Sequence, residues 1–176
     1  LLATDKLTAT VMSNIGLHKY LKESGIGVDV TKVGDRYVLE SMRETGSILG
    51  GEQSGHMIFL NYTTTGDGVL SSLQFMKAYL DSGKKLSELR DEIQIYPQAL
   101  VNARVDNAFK AAALEDEEVK KFIGEIETKM EGSGRVLIRP SGTEPLIRVM
   151  FEGEDIDEIQ GYAEQIAGLI SEKFGK

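Results

Sequence analysis

Short runs rich in β-branched residues alternate along this chain with segments whose apolar residues return every three or four positions, and no other feature constrains the fold as much. Residues 7–12 form a threonine- and valine-rich run that ends at Ser13-Asn14, and Leu17, Tyr20 and Leu21 follow at helical spacing up to Gly25. Val28, Val30 and Val33 suggest a second strand. Asp35 is placed to cap a helix through Arg43 that closes near Gly46, and residues 48–51 and 57–60 read as two short strands. Gly66-Asp67-Gly68, with Asp67 as the cap, opens an amphipathic segment over 69–80. Its Leu70, Leu73, Phe75, Met76 and Leu80 predict a wide buried stripe closing at Gly83. Alternation of this kind builds an α/β layer domain with a mixed sheet.

After a short helix at 86–93, helical spacing is lost at Ile95 and Pro97, which sets an expected boundary between domains 1–98 and 99–176. The second domain reads as a strand at 99–105, a helix at 115–130, strands at 135–138 and 147–151, and a helix at 156–174. Strands outnumber crossovers there, so the expectation is a smaller α+β domain with a mainly antiparallel sheet and two helices on one face. The acidic cluster at 115–118 sits at a helix start, where the helix dipole favours it. The fold class is α/β overall.

A chain of 176 residues, 41% of them hydrophobic, can bury one substantial core or two small ones. Its apolar runs are only a few residues long, against the roughly 20 a bilayer requires, and no basic-then-apolar leader opens it. A cytoplasmic protein with no membrane partner is expected. The absence of cysteine removes disulfides and thiolate chemistry. A net charge of −8 without dense lysine or arginine runs speaks against a nucleic-acid partner. A single phosphate remains admissible, because it answers to local donors rather than to net charge. The start at Leu1 rather than methionine suits an excised piece of a longer protein.

The segment RPSGTEP at 139–145 is a polar loop between two strand-like runs. Ser141 and Thr143 offer hydroxyls, Gly142 lets backbone approach an anion, and Arg139 can grip two phosphate oxygens at once. Pro140 and Pro145 stiffen the ends, and Arg148 can add a second positive charge. Residue types alone leave this loop open to two readings: an anion site, or a tight hairpin in which Arg139 pairs with Glu144. In the first, Glu144 turns away from the anion towards Arg148. The loop lacks the lysine and following helix of an ATP-type phosphate loop, so nucleotide hydrolysis is not implied.

GGEQSGH at 50–56 presents a carboxylate, an amide, a hydroxyl and an imidazole within five residues. Glu52 can accept from adjacent sugar hydroxyls, and Ser54 and His56 can donate or accept, so the set suits a polyol. A proton relay by His56 is the lesser reading. Gly34 and Asp35 in TKVGDRYV have helix capping as an adequate explanation, and one aspartate, Asp67, is too few to hold magnesium.

Together TKVGDRYV, GGEQSGH, TTGDGVL and RPSGTEPLIRVM resemble the α-D-phosphohexomutases in order and spacing over essentially the whole chain. ATVMSN at 9–14 and VGDRY at 33–37 are more similar to the phosphoglucosamine mutase branch than to the phosphomannomutase and phosphoglucomutase branches. The resemblance implies the third and fourth domains of a four-domain isomerase of carbohydrate metabolism. That enzyme would interconvert glucosamine 6-phosphate and glucosamine 1-phosphate, on the way to UDP-N-acetylglucosamine, through a phosphoserine and a hexose bisphosphate. By the same resemblance Glu52, Ser54 and His56 hold sugar hydroxyls with Gly34 and Asp35 nearby, while Arg139, Ser141, Gly142 and Thr143, with Arg148 beside them, hold the distal phosphate.

The family's serine loop, of the type TASHNP, and its magnesium loop, of the type DGDxDR, are both missing. Asp35-Arg36 echoes only the end of the latter, so no catalytic residue and no metal ligand is assigned. Mg2+ and the bisphosphate activator are expected for the full-length enzyme and not for this chain. The expected partners are a phosphosugar and the N-terminal domains of the same enzyme, with a homodimer admitted for the full-length form. Alternatives are a phosphomannomutase or phosphoglucomutase fragment, a stand-alone phosphosugar-binding module, or a structural α/β protein.

Overall fold

The threonine-rich run becomes β1 (Lys6–Thr10), the strand on which the first half of the chain is built. In the computed structural model, which describes residues 5–175, the chain separates into two units that divide between Ile95 and Tyr96. In the first, β1 lies between β2 (Gly27–Thr31) and β3 (Leu49–Gly51), parallel to both, and β4 (Met57–Phe59) adds antiparallel to β3. Parallel neighbours need crossovers, supplied by α1 (Ile15–Glu23) and α2 (Asp35–Thr45). The first connection runs from β1 out to β2 and the second from β2 back past β1 to β3, and right-handed crossovers in opposite directions place the two helices on opposite faces of the sheet.

Two details correct the expected caps. Asn14 caps α1 by accepting from the Gly16 N–H at 3.0 Å. At α2 the capping residue is Gly34 rather than Asp35: its φ of 134° is a conformation that side chains avoid. Asp35 is instead the first helical residue, its carboxylate accepting from the Arg36 N–H at 2.8 Å and facing the positive end of the dipole. Val38 and Met42 of α2 bury against Ile58 in a small core.

Helix α3 (Gly68–Ser82) starts where Asp67 accepts from the Leu70 N–H at 2.9 Å and ends at Gly83 in the left-handed conformation, as the sequence predicts. Its apolar stripe is not buried. Val69, Leu73, Met76 and Leu80 line up at spacings of four, three and four, and Leu73 and Leu80 are 64% and 70% exposed. Periodicity marks a face that favours burial; among the described residues nothing covers it. A short α4 (Leu86–Asp91) follows.

The second unit is a three-stranded antiparallel sheet ordered β5 (Gln98–Arg104), β7 (Leu146–Glu152), β6 (Arg135–Pro140). The helix expected over 115–130 is α6 (Glu117–Lys129), and a short helix that was not expected, α5 (Lys110–Glu115), precedes it. Asp116 separates them with an extended backbone and caps α6 by accepting from the Glu118 and Val119 N–H groups. An ion pair from Lys173 and those N–H bonds hold the Asp116 carboxyl below its ordinary range. The last helix, α7 (Ile156–Phe174), lies where its spacing predicts, and Ile159, Ala163, Ile166 and Ile170 bury against Ile147, Val149 and Phe151 of β7. Each such buried side chain contributes about 1.5–3 kcal/mol.

On the sheet face away from this core, Gln98, Glu152 and Arg135 form one cross-strand row. The Glu152 carboxylate is fully buried, pairing with Arg135 Nε and accepting from Gln98 Nε2. Replacing Glu152 with Ala removes the buried carboxylate that the guanidinium and the amide share. We expect a loss of about 3 kcal/mol or more in the second unit, read by urea unfolding followed through that unit's NMR resonances. A loss below about 1 kcal/mol would mean the row does not hold the sheet. The exposed stripe predicts the opposite response: Leu73→Gln, Met76→Gln and Leu80→Gln each leave the 176-residue chain within about 0.5 kcal/mol of its original stability. A cost of several kcal/mol in urea unfolding followed through the first unit's resonances would show the stripe to be buried.

Candidate functional site

Side chains alternate along a strand, so the residues of β7 that feed the core leave Arg148 on the other face. Antiparallel register sets Arg139 of β6 directly opposite Arg148, with Asn102 of β5 on its other side. Two guanidinium groups directly opposite each other repel. Only one is compensated: Glu144 Oε2 accepts from Arg148 Nη2 at 3.0 Å, whereas Arg139 forms no ion pair among the described residues. The hairpin expected from the sequence is present, but its Arg139–Glu144 pair is not, and Glu144 turns to Arg148. The result is a local excess of positive charge on a chain whose net charge is −8.

Between these arginines the loop 141–145 is tied by its own groups. The Ser141 N–H donates to the Leu146 carbonyl at 2.9 Å, the Leu146 N–H to the Glu144 carbonyl at 2.8 Å, and the Glu144 N–H to Ser141 Oγ at 3.2 Å. Ser141 is therefore a buried brace of the loop whose hydroxyl proton stays free to donate outward. The N–H groups of Gly142 and Thr143 are exposed and donate to nothing among the described residues. Two adjacent unpaired N–H groups, two hydroxyls and an uncompensated guanidinium form a cradle suited to a tetrahedral oxyanion.

In the first unit β1, β2 and β3 are parallel, so their carboxyl ends share one edge of the sheet. The chain reverses its winding direction at β1, and a sheet of this kind binds ligands outside that edge at the reversal. The loops leaving it carry Ser13 and Asn14, then Gly34 and Asp35, then 52–56, with β1 standing between the last two sets. The Glu52 N–H donates to the His56 carbonyl at 2.9 Å and the Gly55 N–H to the Glu52 carbonyl at 3.0 Å, closing a tight turn.

Ser54 Oγ lies 3.2 Å from His56 Nδ1, and the imidazole edge rests against Gly66, where a Cβ would come within 2.9 Å. The Glu52 carboxylate has no partner among the described residues and faces a cavity of about 420 Å³ shared with Ser13, Asn14, Gln53, Leu17 and Met57. Ser54 and His56 thus come together beside Gly66 and Asp67, whereas Glu52 lines the other cavity and is joined to them only through the backbone of the turn; Gly34 and Asp35 follow β2 at the same edge of the sheet. Sequence reading passed over Ser13, Asn14 and Asn102, because only strand order and register bring them beside the motifs.

Among the described residues no three His, Cys, Asp or Glu side chains cluster closely enough to hold a metal ion. The described residues therefore do not fit a magnesium centre. No helix among them is long and apolar enough to cross a membrane.

Residues 1–96 match the family model described as phosphoglucomutase/phosphomannomutase, alpha/beta/alpha domain III, and residues 100–169 match the C-terminal domain of the same family. A phosphoglucosamine mutase from Caldicellulosiruptor saccharolyticus is 56% identical over 173 residues, covering 98% of this chain and 38% of that protein. One from Streptococcus gordonii is 52% identical over 174 residues, covering 99% of this chain and 39% of its own. The chain therefore spans about two fifths of the length of the curated relatives it matches.

Among solved structures, the Aspergillus fumigatus N-acetylphosphoglucosamine mutase in complex with GlcNAc-6P and magnesium shares the fold. Its TM-score is 0.77 at 17% identity, covering 95% of this chain and 38% of that one. With both family models matched across nearly its whole length, the chain belongs to the phosphoglucomutase/phosphomannomutase family, in which it corresponds to domain III followed by the C-terminal domain.

Proposed function

We propose that this chain is the substrate-recognition part of a longer phosphoglucosamine mutase that interconverts glucosamine 6-phosphate and glucosamine 1-phosphate. The observation that carries the reading is the uncompensated Arg139 beside Arg148, at the foot of a loop with the free N–H groups of Gly142 and Thr143. Relatives 52–56% identical across the whole chain bear that name and supply the amino-sugar specificity. In this reading Arg139, Ser141, Gly142 and Thr143 hold the phosphate that is not reacting, with Arg148 as a second charge. Glu52, Ser54 and His56 hold sugar hydroxyls, and Gly34 and Asp35 shape the same edge.

A mutase that works through a bisphosphate must bind the same molecule in two orientations. A donor set of N–H, hydroxyl and guanidinium groups serves this need, because it recognises a phosphate whichever carbon carries it. The covalent step belongs to a phosphoserine outside this chain, as do the ligands of Mg2+, whose chemistry when bound is to neutralise charge on the transferring phosphoryl group. We also place the preceding part of the longer protein on the apolar face of α3. A helix apolar on its solvent side is stable when that side is covered.

The 176-residue chain alone is expected to show no mutase turnover with magnesium and a hexose bisphosphate present. It should still bind glucosamine 6-phosphate with a Kd on the order of millimolar, about −4 kcal/mol. Amide shifts are expected first at residues 139–143 and then at 51–56; turnover by the purified chain, or an unmoved 141–143 backbone at tens of millimolar ligand, would refute this assignment. In the longer enzyme Arg139→Lys should lower kcat/KM by about ten- to a hundredfold, since an ammonium cannot reproduce a two-pronged grip on phosphate oxygens. Unchanged kinetics would return Arg139 to a structural role.

A further inference from the structure

Beneath the 141–145 loop lies a lysine that no motif contains. Lys110, the first residue of α5, is 8% exposed, and its Nζ donates to the carbonyl oxygens of Ser141 and Glu144, each at 2.6 Å. No carboxylate among the described residues pairs with it. A buried ammonium is costly unless its charge is offset, and among the described residues two carbonyl dipoles offset it. Lys110 is thus a third cation under a loop whose one carboxylate, Glu144, is already committed to Arg148.

The carbonyl that Lys110 holds decides where a donor points. The described peptide bonds are trans, and in a trans peptide the C=O and the following N–H project to opposite sides. Drawing the Ser141 carbonyl inward therefore turns the Gly142 N–H outward, where it is exposed and unpaired. The Glu144 carbonyl, held in the same way, belongs to the peptide of Pro145, which has no N–H to lose. Glycine tolerates almost any backbone conformation, so without a restraint the 141–142 peptide can rotate and present its carbonyl oxygen to the anion instead.

We infer that Lys110 is a positioning residue of the anion loop: it pins the Ser141–Gly142 peptide with its N–H outward and places a counter-charge beneath the bound phosphate. This rests on reading the loop as a phosphate site. A positioning role predicts that losing Lys110 weakens phosphate binding by folded molecules, whereas a purely structural role predicts lower stability at unchanged affinity.

The test is a titration of the isotope-labelled 176-residue chain with inorganic phosphate at constant ionic strength, following the Gly142 and Thr143 amides of the folded state. In the unmodified chain both amides are expected to move and saturate. In Lys110→Met, which keeps the length but loses charge and donors, the Kd should rise at least tenfold and the Gly142 shift should shrink. Lys110→Arg, which keeps both charge and donors, should recover most of the affinity. If Lys110→Met does not fold, Lys110→Gln takes its place with the same tenfold loss expected. Binding by the neutral variant within twofold of the unmodified chain overturns the inference and leaves the phosphate site standing. Failure of the unmodified chain to shift Gly142 and Thr143 overturns both.

Discussion

The side-chain alternation of β7 is the constraint on which the second unit depends. Paired on both sides, this strand sends Ile147, Val149 and Phe151 into the helices and Arg148 and Glu152 to the opposite face. A slip of one residue would expose the core and bury two charges, so the register is strongly specified. The same register that seats Phe151 in the core also sets Arg148 opposite Arg139. The repulsive pair of the candidate site is thus a consequence of packing, held in place by hydrophobic burial on the other side of the sheet.

In the proposed function the two units would supply recognition by different means. The first gathers loops at the carboxyl edge of parallel strands, where crossovers leave several loops side by side and side chains of mixed chemistry can face one polyol. The second would use a single hairpin loop braced by Ser141 Oγ and by Lys110, so that backbone donors meet the anion beside the hydroxyls and Arg139. A braced loop carries little ordering cost on binding. In a chain of net charge −8, such a site attracts phosphate through short-range donors, because the long-range field opposes it.

Much of this was legible in the residue pattern. The limits of α7, the cap at Asp67, the strands flanking RPSGTEP and the turn of Glu144 towards Arg148 all follow from local spacing and chemistry. The short helix at 110–115 did not, since its six residues are too few to show a helical period, and Asp116 emerges as the cap that separates it from 117–129 only once its bonds are seen. Gly34 rather than Asp35 caps α2 because the backbone there needs a positive φ, which an acidic residue next in line disguises. The stripe of α3 was correctly found as apolar and wrongly expected to be buried, because periodicity names a face and not its partner.

By itself the sequence determined the element types, the two loops that carry polar chemistry, and the family motifs, all of which depend on residues close together in the chain. Tertiary structure alone decided that Arg139 stands unpaired against Arg148, that Ser13, Asn14 and Glu52 share one cavity, and that Lys110 reaches across 31 residues to hold the Ser141 carbonyl. Such relations follow from strand order and register. These are set by the burial of whole faces at once, and no local window of sequence encodes them.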